Sequence, residues 1–101
     1  MDKNKFYIAG LLFELYHVKT LEEVIFNEKV VDKLMTRKAL SDRKAIYKAL
    51  TWAANNADFE FKSVLQNAPV VGELSFSNSE IYEYLAKFKK FMENEKKLLT
   101  E

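Results

Sequence analysis

The stretch SNSEIYEYLAKFKKFMENEKK, residues 77–97, decides the fold. Ser77 and Glu80 stand at the spacing of a capping box, in which the hydroxyl accepts from the third helical amide and the carboxylate reaches back to the cap amide. Behind them Ile81, Leu85, Phe88 and Met92 recur at the period of one helical face. Neither Gly nor Pro interrupts the run, so the spacing predicts a helix over about 78–97. With only two Gly and one Pro in 101 residues, little material remains for the tight turns of a many-stranded sheet.

Moving toward the N-terminus, residues 68–76 hold Pro69 and Gly72 and read as a loop, in which Val70-Val71 is a strand seed too short to build a sheet. The preceding residues 58–66 form a short amphipathic turn with Phe61, Val64 and Leu65 on one side. Ser41 with Asp42 behind it reads as the cap of a helix over about 42–55, whose inner face is Ile46, Leu50 and Ala53 with Trp52 beside it. Asn55-Asn56 ends that helix. Thr20-Leu-Glu-Glu23 fits a second capping box and opens a helix carrying Leu21, Val24, Ile25, Val31, Leu34 and Met35, in which Asn27-Glu28 leave room for a break into two pieces. Residues 3–18 carry Phe6, Tyr7, Ile8, Ala9, Leu11, Leu12, Phe13, Leu15 and Tyr16, apolar on all sides, which predicts a helix central to the core. Gly10 within it costs about 1 kcal/mol relative to Ala and reads as a tolerated defect. Residues 98–101 are expected to fray. The expected fold is all-α: one domain over 1–101, a compact bundle of four to five helices.

Composition narrows the function classes. Hydrophobic residues make up 49% and charged residues 31%, enough to fill a core and coat it. No Cys is present, which removes disulfides, thiol catalysis and thiolate metal sites. Sixteen basic against fifteen acidic residues give a net charge of +1, so no global field draws the chain to nucleic acid or an anionic membrane. The opening MDKNKFYIAGLLFELYHV superficially resembles a signal peptide. Its apolar run stops at Glu14 without a small-residue cleavage site and falls well short of the roughly 20 residues of a membrane span, so it reads as a mature helix of a cytoplasmic protein.

Catalytic chemistry has few candidates. His17 is the single histidine and lies on an apolar segment with no acidic or hydroxyl partner at helical spacing, which suits a helix-terminal histidine better than a triad or a metal ligand. Glu22 and Glu23 are adjacent and face differently, while Glu80 and Glu83 are explained by a cap and a solvated helix face. Gly10 and Gly72 are isolated and make no phosphate-cradling loop. The inventory predicts no enzyme, no cofactor and no metal.

Charge is distributed unevenly. Over residues 56–84 the acids are Asp58, Glu60, Glu73, Glu80 and Glu83 against Lys62 alone, a net of −4. Lys29, Lys33, Arg37, Lys38, Arg43, Lys44 and Lys48 oppose Asp32 and Asp42, a net of +5 over residues 29–48. The acidic window also carries Phe59, Phe61, Phe76, Tyr82 and Tyr84. Rings rimmed by carboxylates suit docking to a basic protein, the rings giving buried area and the charges speeding encounter. On the plainer reading Phe61 and Phe76 are core residues and the acids are ordinary solvated positions. If the rings form one patch, self-association into a homodimer competes. The basic window loosely resembles a helix-turn-helix, but its second helix lacks residues spaced to read bases after the first turn, so nucleic acid is disfavoured.

SDRKAIYKALTWAANNADFEFKSVL at 41–65, followed by SNSEIYEYLAKF at 77–88, resembles the small all-helical immunity proteins that accompany bacterial contact-dependent growth inhibition toxins and related polymorphic toxins. The resemblance rests on Ala49-Leu-Thr-Trp-Ala53, on Asp58-Phe-Glu-Phe61 and on the helix start at Ser77, and covers about half the chain. It implies a cytoplasmic, non-catalytic protein that binds one toxin domain, often a nuclease, and occludes its active site or holds it inactive. The acidic, aromatic window fits that role independently, since nuclease clefts are basic. Expected partner contacts are Asp58, Phe59, Glu60, Glu73, Glu80, Tyr82 and Glu83. The alternative is a small regulatory or adaptor protein that binds a cellular protein, or with less support DNA, through the 29–48 window.

Overall fold

The computed structural model describes residues 3–65 and 76–99. Four α-helices appear in the order α1 (Lys3–Leu12), α2 (Glu28–Arg37), α3 (Leu40–Ala54) and α4 (Asn78–Asn94), with short 3-10 turns between and after them. No strand occurs among the described residues, so the all-α expectation holds.

Helix α4 begins where its capping box sets it. Ser77 Oγ accepts from the Glu80 amide at 3.2 Å, and the Glu80 carboxylate accepts from the Ser77 amide at 2.9 Å. Ile81, Leu85, Phe88 and Met92 are buried as the spacing predicts, and Tyr84 joins them. The helix ends at Asn94, and the 3-10 turn Lys96–Leu98 folds back so that Leu98 is completely buried. The expected fraying is therefore corrected at Leu98: an apolar side chain just past a lysine-rich helix end is drawn into the core.

Helix α3 packs against both α1 and α4 and is the middle of the bundle. Its inner face is Ile46, Ala49, Leu50 and Ala53. It starts earlier than expected, with Ala39 as the capping residue and no side-chain cap. Asp42 instead accepts a long 3.4 Å bond from the Tyr7 hydroxyl across to α1, and as an acid in the first turn it suits the positive end of the helix dipole. At the other end Asn55 and Asn56 donate back to the Thr51 and Trp52 carbonyls, closing the helix as the sequence indicates.

Helix α1 departs from the expectation of all-round burial. Ile8, Leu11, Leu12 and Leu15 are buried, but Phe6 is 62% exposed and Phe13 is only half-buried. One side anchors the core on α3 while another opens onto a groove. The helix tightens into the 3-10 turn Phe13–His17, and near that junction the buried Tyr84 hydroxyl donates to the Leu11 carbonyl at 2.9 Å. The bond ties the middle of α4 to the end of α1.

The Thr20 box forms, but it opens only the 3-10 turn Leu21–Glu23. Val24 is extended, and the chain runs on to place Phe26 against Tyr84, Phe88 and Phe91, with ring centroids 6.3, 5.3 and 5.2 Å away. Asn27 then caps α2 by accepting from the Lys29 amide at 3.0 Å, so the expected break at Asn27-Glu28 is real. Helix α2 buries only Val31 and Leu34 and sits at the periphery, where Glu28 pairs with Lys97 at 2.9 Å. The Cα radius of gyration, 13.1 Å, is what about 100 compact residues give.

Candidate partner-binding surface

The short connection after α3 is held by Asn78, the first residue of α4. Its Oδ1 accepts from the Phe61 amide at 2.8 Å and its Nδ2 donates to the Phe59 carbonyl at 2.8 Å. This double hydrogen bond fixes residues 59–61 against the start of α4, and the 3-10 turn Phe61–Leu65 comes next. Asn78 is a positioning residue that the capping motif alone does not reveal, because its role depends on a segment 17 residues away.

Phe61 is wholly buried and forms the base of an aromatic row. Phe59, half-buried, meets the Trp52 ring edge-on at 5.0 Å and the Phe61 ring at 5.5 Å, and Tyr82 stacks on Phe61 at 6.3 Å. The Tyr82 hydroxyl donates to the Ala54 carbonyl at the end of α3, 3.2 Å away. Lys5 Nζ lies 5.4 Å from the centre of the Phe59 ring, within range of a cation–π contact. Asp58 and Glu60 are exposed on either side of Phe59 and have no ion pair among the described residues.

Asp58, Phe59, Glu60 and Tyr82 are thus assembled around one aromatic row. Glu80 and Glu83 are placed differently: they line a small polar cleft of about 300 Å³ with Lys19, Thr20, Glu22 and Lys87. Glu80 is engaged in the cap, and Glu83 pairs with Lys87 at 3.4 Å on the exposed helix face. Glu73 lies outside the described residues. Of the rings in the acidic window, Phe61, Phe76 and Tyr84 are core residues, so the plainer reading applies to them and the rings left at the surface reduce to the half-buried Phe59 and Tyr82.

The basic window is also redistributed. Arg43 is only 7% exposed, its Nη1 donating to the Lys97 carbonyl at 3.2 Å, and its Nε has no hydrogen-bond partner among the described residues. A guanidinium held this way is not available to a phosphate backbone. Lys33 is paired with Glu14 at 3.5 Å. His17 ends its 3-10 turn exposed to solvent, as a helix-terminal histidine.

The electrostatically tuned groups lie elsewhere. On the exposed faces of α3 and α4, Glu93 accepts from Lys89 and from the Tyr47 hydroxyl, both at 2.6 Å. These bonds hold its carboxyl below the usual range, while the bond to Glu93 raises Lys89 and Tyr47. Burial, with the charge of Glu14 adding, pushes the Tyr84 hydroxyl far above its ordinary value. No group of three or more His, Asp or Glu side chains that could hold a metal ion occurs among the described residues. Nor is any described helix long and apolar enough to cross a membrane.

Among the described residues the most exposed large apolar ones are Phe6, Ile25 and Met35, none of them in the described part of the acidic window. Phe6 and Ile25 border an open groove of about 1120 Å³ between α1, the 18–26 segment and α2. The sequence does not reveal this groove, because α1 is apolar on all sides and its unpartnered face carries no distinguishing pattern. No protein-family model, curated protein or solved structure matches the chain.

Proposed function

We propose that the chain is a non-catalytic immunity protein that binds and neutralises a cognate bacterial toxin domain in the cytoplasm, its target surface being basic as in a nuclease. The observation that carries this reading is the arrangement at Phe59. Asp58 and Glu60 present exposed carboxylates without ion partners among the described residues, on either side of a ring fixed edge-on between Trp52 and Phe61. A fixed ring loses little side-chain freedom on binding, and flanking carboxylates speed encounter with a basic surface and disfavour acidic ones. The proposed contacts are centred on Asp58, Phe59, Glu60 and Tyr82; Glu73 lies outside the described residues, and Glu80 and Glu83 are engaged by the cap and by Lys87.

Capture from the native host tests this. The tagged chain, washed at moderate salt, is expected to retain one basic protein near one-to-one stoichiometry, whose toxicity on expression is suppressed by co-expressing the chain. Retention of a non-toxic regulator, or of nucleic acid with a steep salt dependence, would replace the immunity reading with the adaptor reading.

A further inference from the structure

The groove between α1 and α2 has the properties of a docking site of its own. Its floor is core: Leu11, Leu34, Ile46, Tyr84 and Phe88. Its rim carries Phe6, 62% exposed, and Ile25, 64% exposed, large side chains that a soluble surface rarely leaves in one concave patch without use. At about 1120 Å³ it exceeds the roughly 300–1,000 Å³ of small-molecule sites and is open to solvent, which suits a chain segment better than an enclosed small molecule.

Charge selects the occupant. Of the two acids on the groove among the described residues, Glu14 is paired with Lys33, and the Glu23 carboxylate accepts from the Lys19 and Thr20 amides at 2.6 and 2.9 Å. Arg37 and Lys38, at the C-terminal end of α2, are exposed on the same groove and have no ion pair among the described residues. Among the described lining residues Lys5, Lys33, Arg37 and Lys38 outnumber Glu14 and Glu23, so the net charge on the groove is positive. Gly10 lies in the wall, and a Cβ built there meets nothing within 4 Å, so a helix backbone can approach closely at that point.

We propose that this groove docks an acidic amphipathic helix of a partner protein, its apolar face lying across Gly10 between Phe6 and Ile25 and its carboxylates on Arg37 and Lys38. Helix-in-groove recognition reads anchors at i, i+3, i+4 and i+7, and the trough offers an apolar floor to such a row. The groove adjoins the Phe59 surface at Lys5, which lines one and lies over the ring of the other, but the proposal does not depend on the toxin-neutralising reading.

A displayed library of amphipathic helical peptides, roughly 18 residues or five turns long, selected on the full-length chain, tests the proposal. Selected clones are expected to combine apolar residues at helical spacing with net negative charge. Their binding should be lost on Gly10→Leu, which fills the wall, and weakened about tenfold or more by the paired reversal Arg37→Glu/Lys38→Glu. All three positions are exposed, and an unchanged circular-dichroism spectrum and melting temperature establish that each variant folds. Failure to enrich any clone, or enrichment of clones indifferent to both variants, overturns the proposal. So does a homodimer in sedimentation that Gly10→Leu dissociates, which would make a second copy the occupant. Basic clones lost on Asp58→Asn and retained on Gly10→Leu would also overturn it while supporting the Phe59 surface, so the two readings fail separately.

Discussion

Two capping boxes among the described residues have different outcomes. Ser77 and Glu80 open a helix of 17 residues, whereas Thr20 and Glu23 open a 3-10 turn of three. In both, the carboxylate bonds the cap amide at 2.9 Å, so the local chemistry at the box is nearly the same. The residues behind each box make the difference. After Ser77, apolar residues recur along one face and each successive turn buries another: Ile81, Tyr84 with Leu85, Phe88, Met92. After Thr20 come Val24, Ile25 and Phe26 in succession, and burying Phe26 against three rings of α4 requires an extended backbone at Val24. A cap lowers the cost of starting a helix, and a continuing buried stripe decides whether it propagates.

The largest expected effect comes from removing the side chain that ends the Thr20 turn. Phe26→Ala should destabilise the protein by about 2–3 kcal/mol, less than a fully buried ring would cost, because Phe26 is half-buried. Urea unfolding measures this. A loss under about 0.5 kcal/mol would mean that Phe26 does not hold the extended segment.

Tyr84 sharpens the comparison from the α4 side. Tyr84→Phe leaves the Leu11 carbonyl without its donor and should cost about 1 kcal/mol at neutral pH. The native hydroxyl keeps its proton in the folded state, whereas in the unfolded chain it ionises near about pH 10. Above that pH the unfolded state binds fewer protons, so this residue's contribution to stability falls by about 1.4 kcal/mol per pH unit. The advantage of the native protein over Tyr84→Phe should therefore be constant below about pH 10 and shrink above it. A constant difference across the alkaline range would show that the hydroxyl is not buried as described.

The two boxes can be compared directly. Ser77→Ala should cost about 1 kcal/mol, since a long helix depends on that start, while Thr20→Ala should cost only a few tenths. Equal losses would remove the distinction drawn between them. Gly10→Ala should give the smallest change and the opposite sign, a gain of about 0.5–1 kcal/mol, because a methyl there meets open space and α1 gains propensity. A loss would place an unseen neighbour in the groove.

Much of the fold is legible in the sequence where a local signal and the buried stripe agree. The α4 face, the α3 face, the asparagines that end α3 and the break at Asn27 all derive from caps and periodicity. The departures have one physical origin, the tertiary placement of single side chains. Leu98 looks like a frayed tail because one apolar residue after a run of charges has no period, yet it fills the core. Ser41 with Asp42 behind it looks like a cap, but the helix starts at Leu40 and Asp42 turns to Tyr7. At the candidate surface, Asp58, Phe59 and Glu60 are legible from charge and aromatic content. Glu80 satisfies two sequence patterns at once, capping and an acidic patch, and the structure engages it in the first. Asn78 and the groove are not legible, since both arise from elements brought together across the fold.

The central claim is that the exposed carboxylates beside Phe59 carry partner binding. Its most direct test is the affinity for the captured partner as a function of salt, measured for the native chain and for Asp58→Asn/Glu60→Gln with matched melting temperatures. The account predicts native affinity that weakens as salt rises, and a variant about tenfold or more weaker at low salt with a flatter dependence. Identical affinities and identical salt dependence in the two proteins would contradict it.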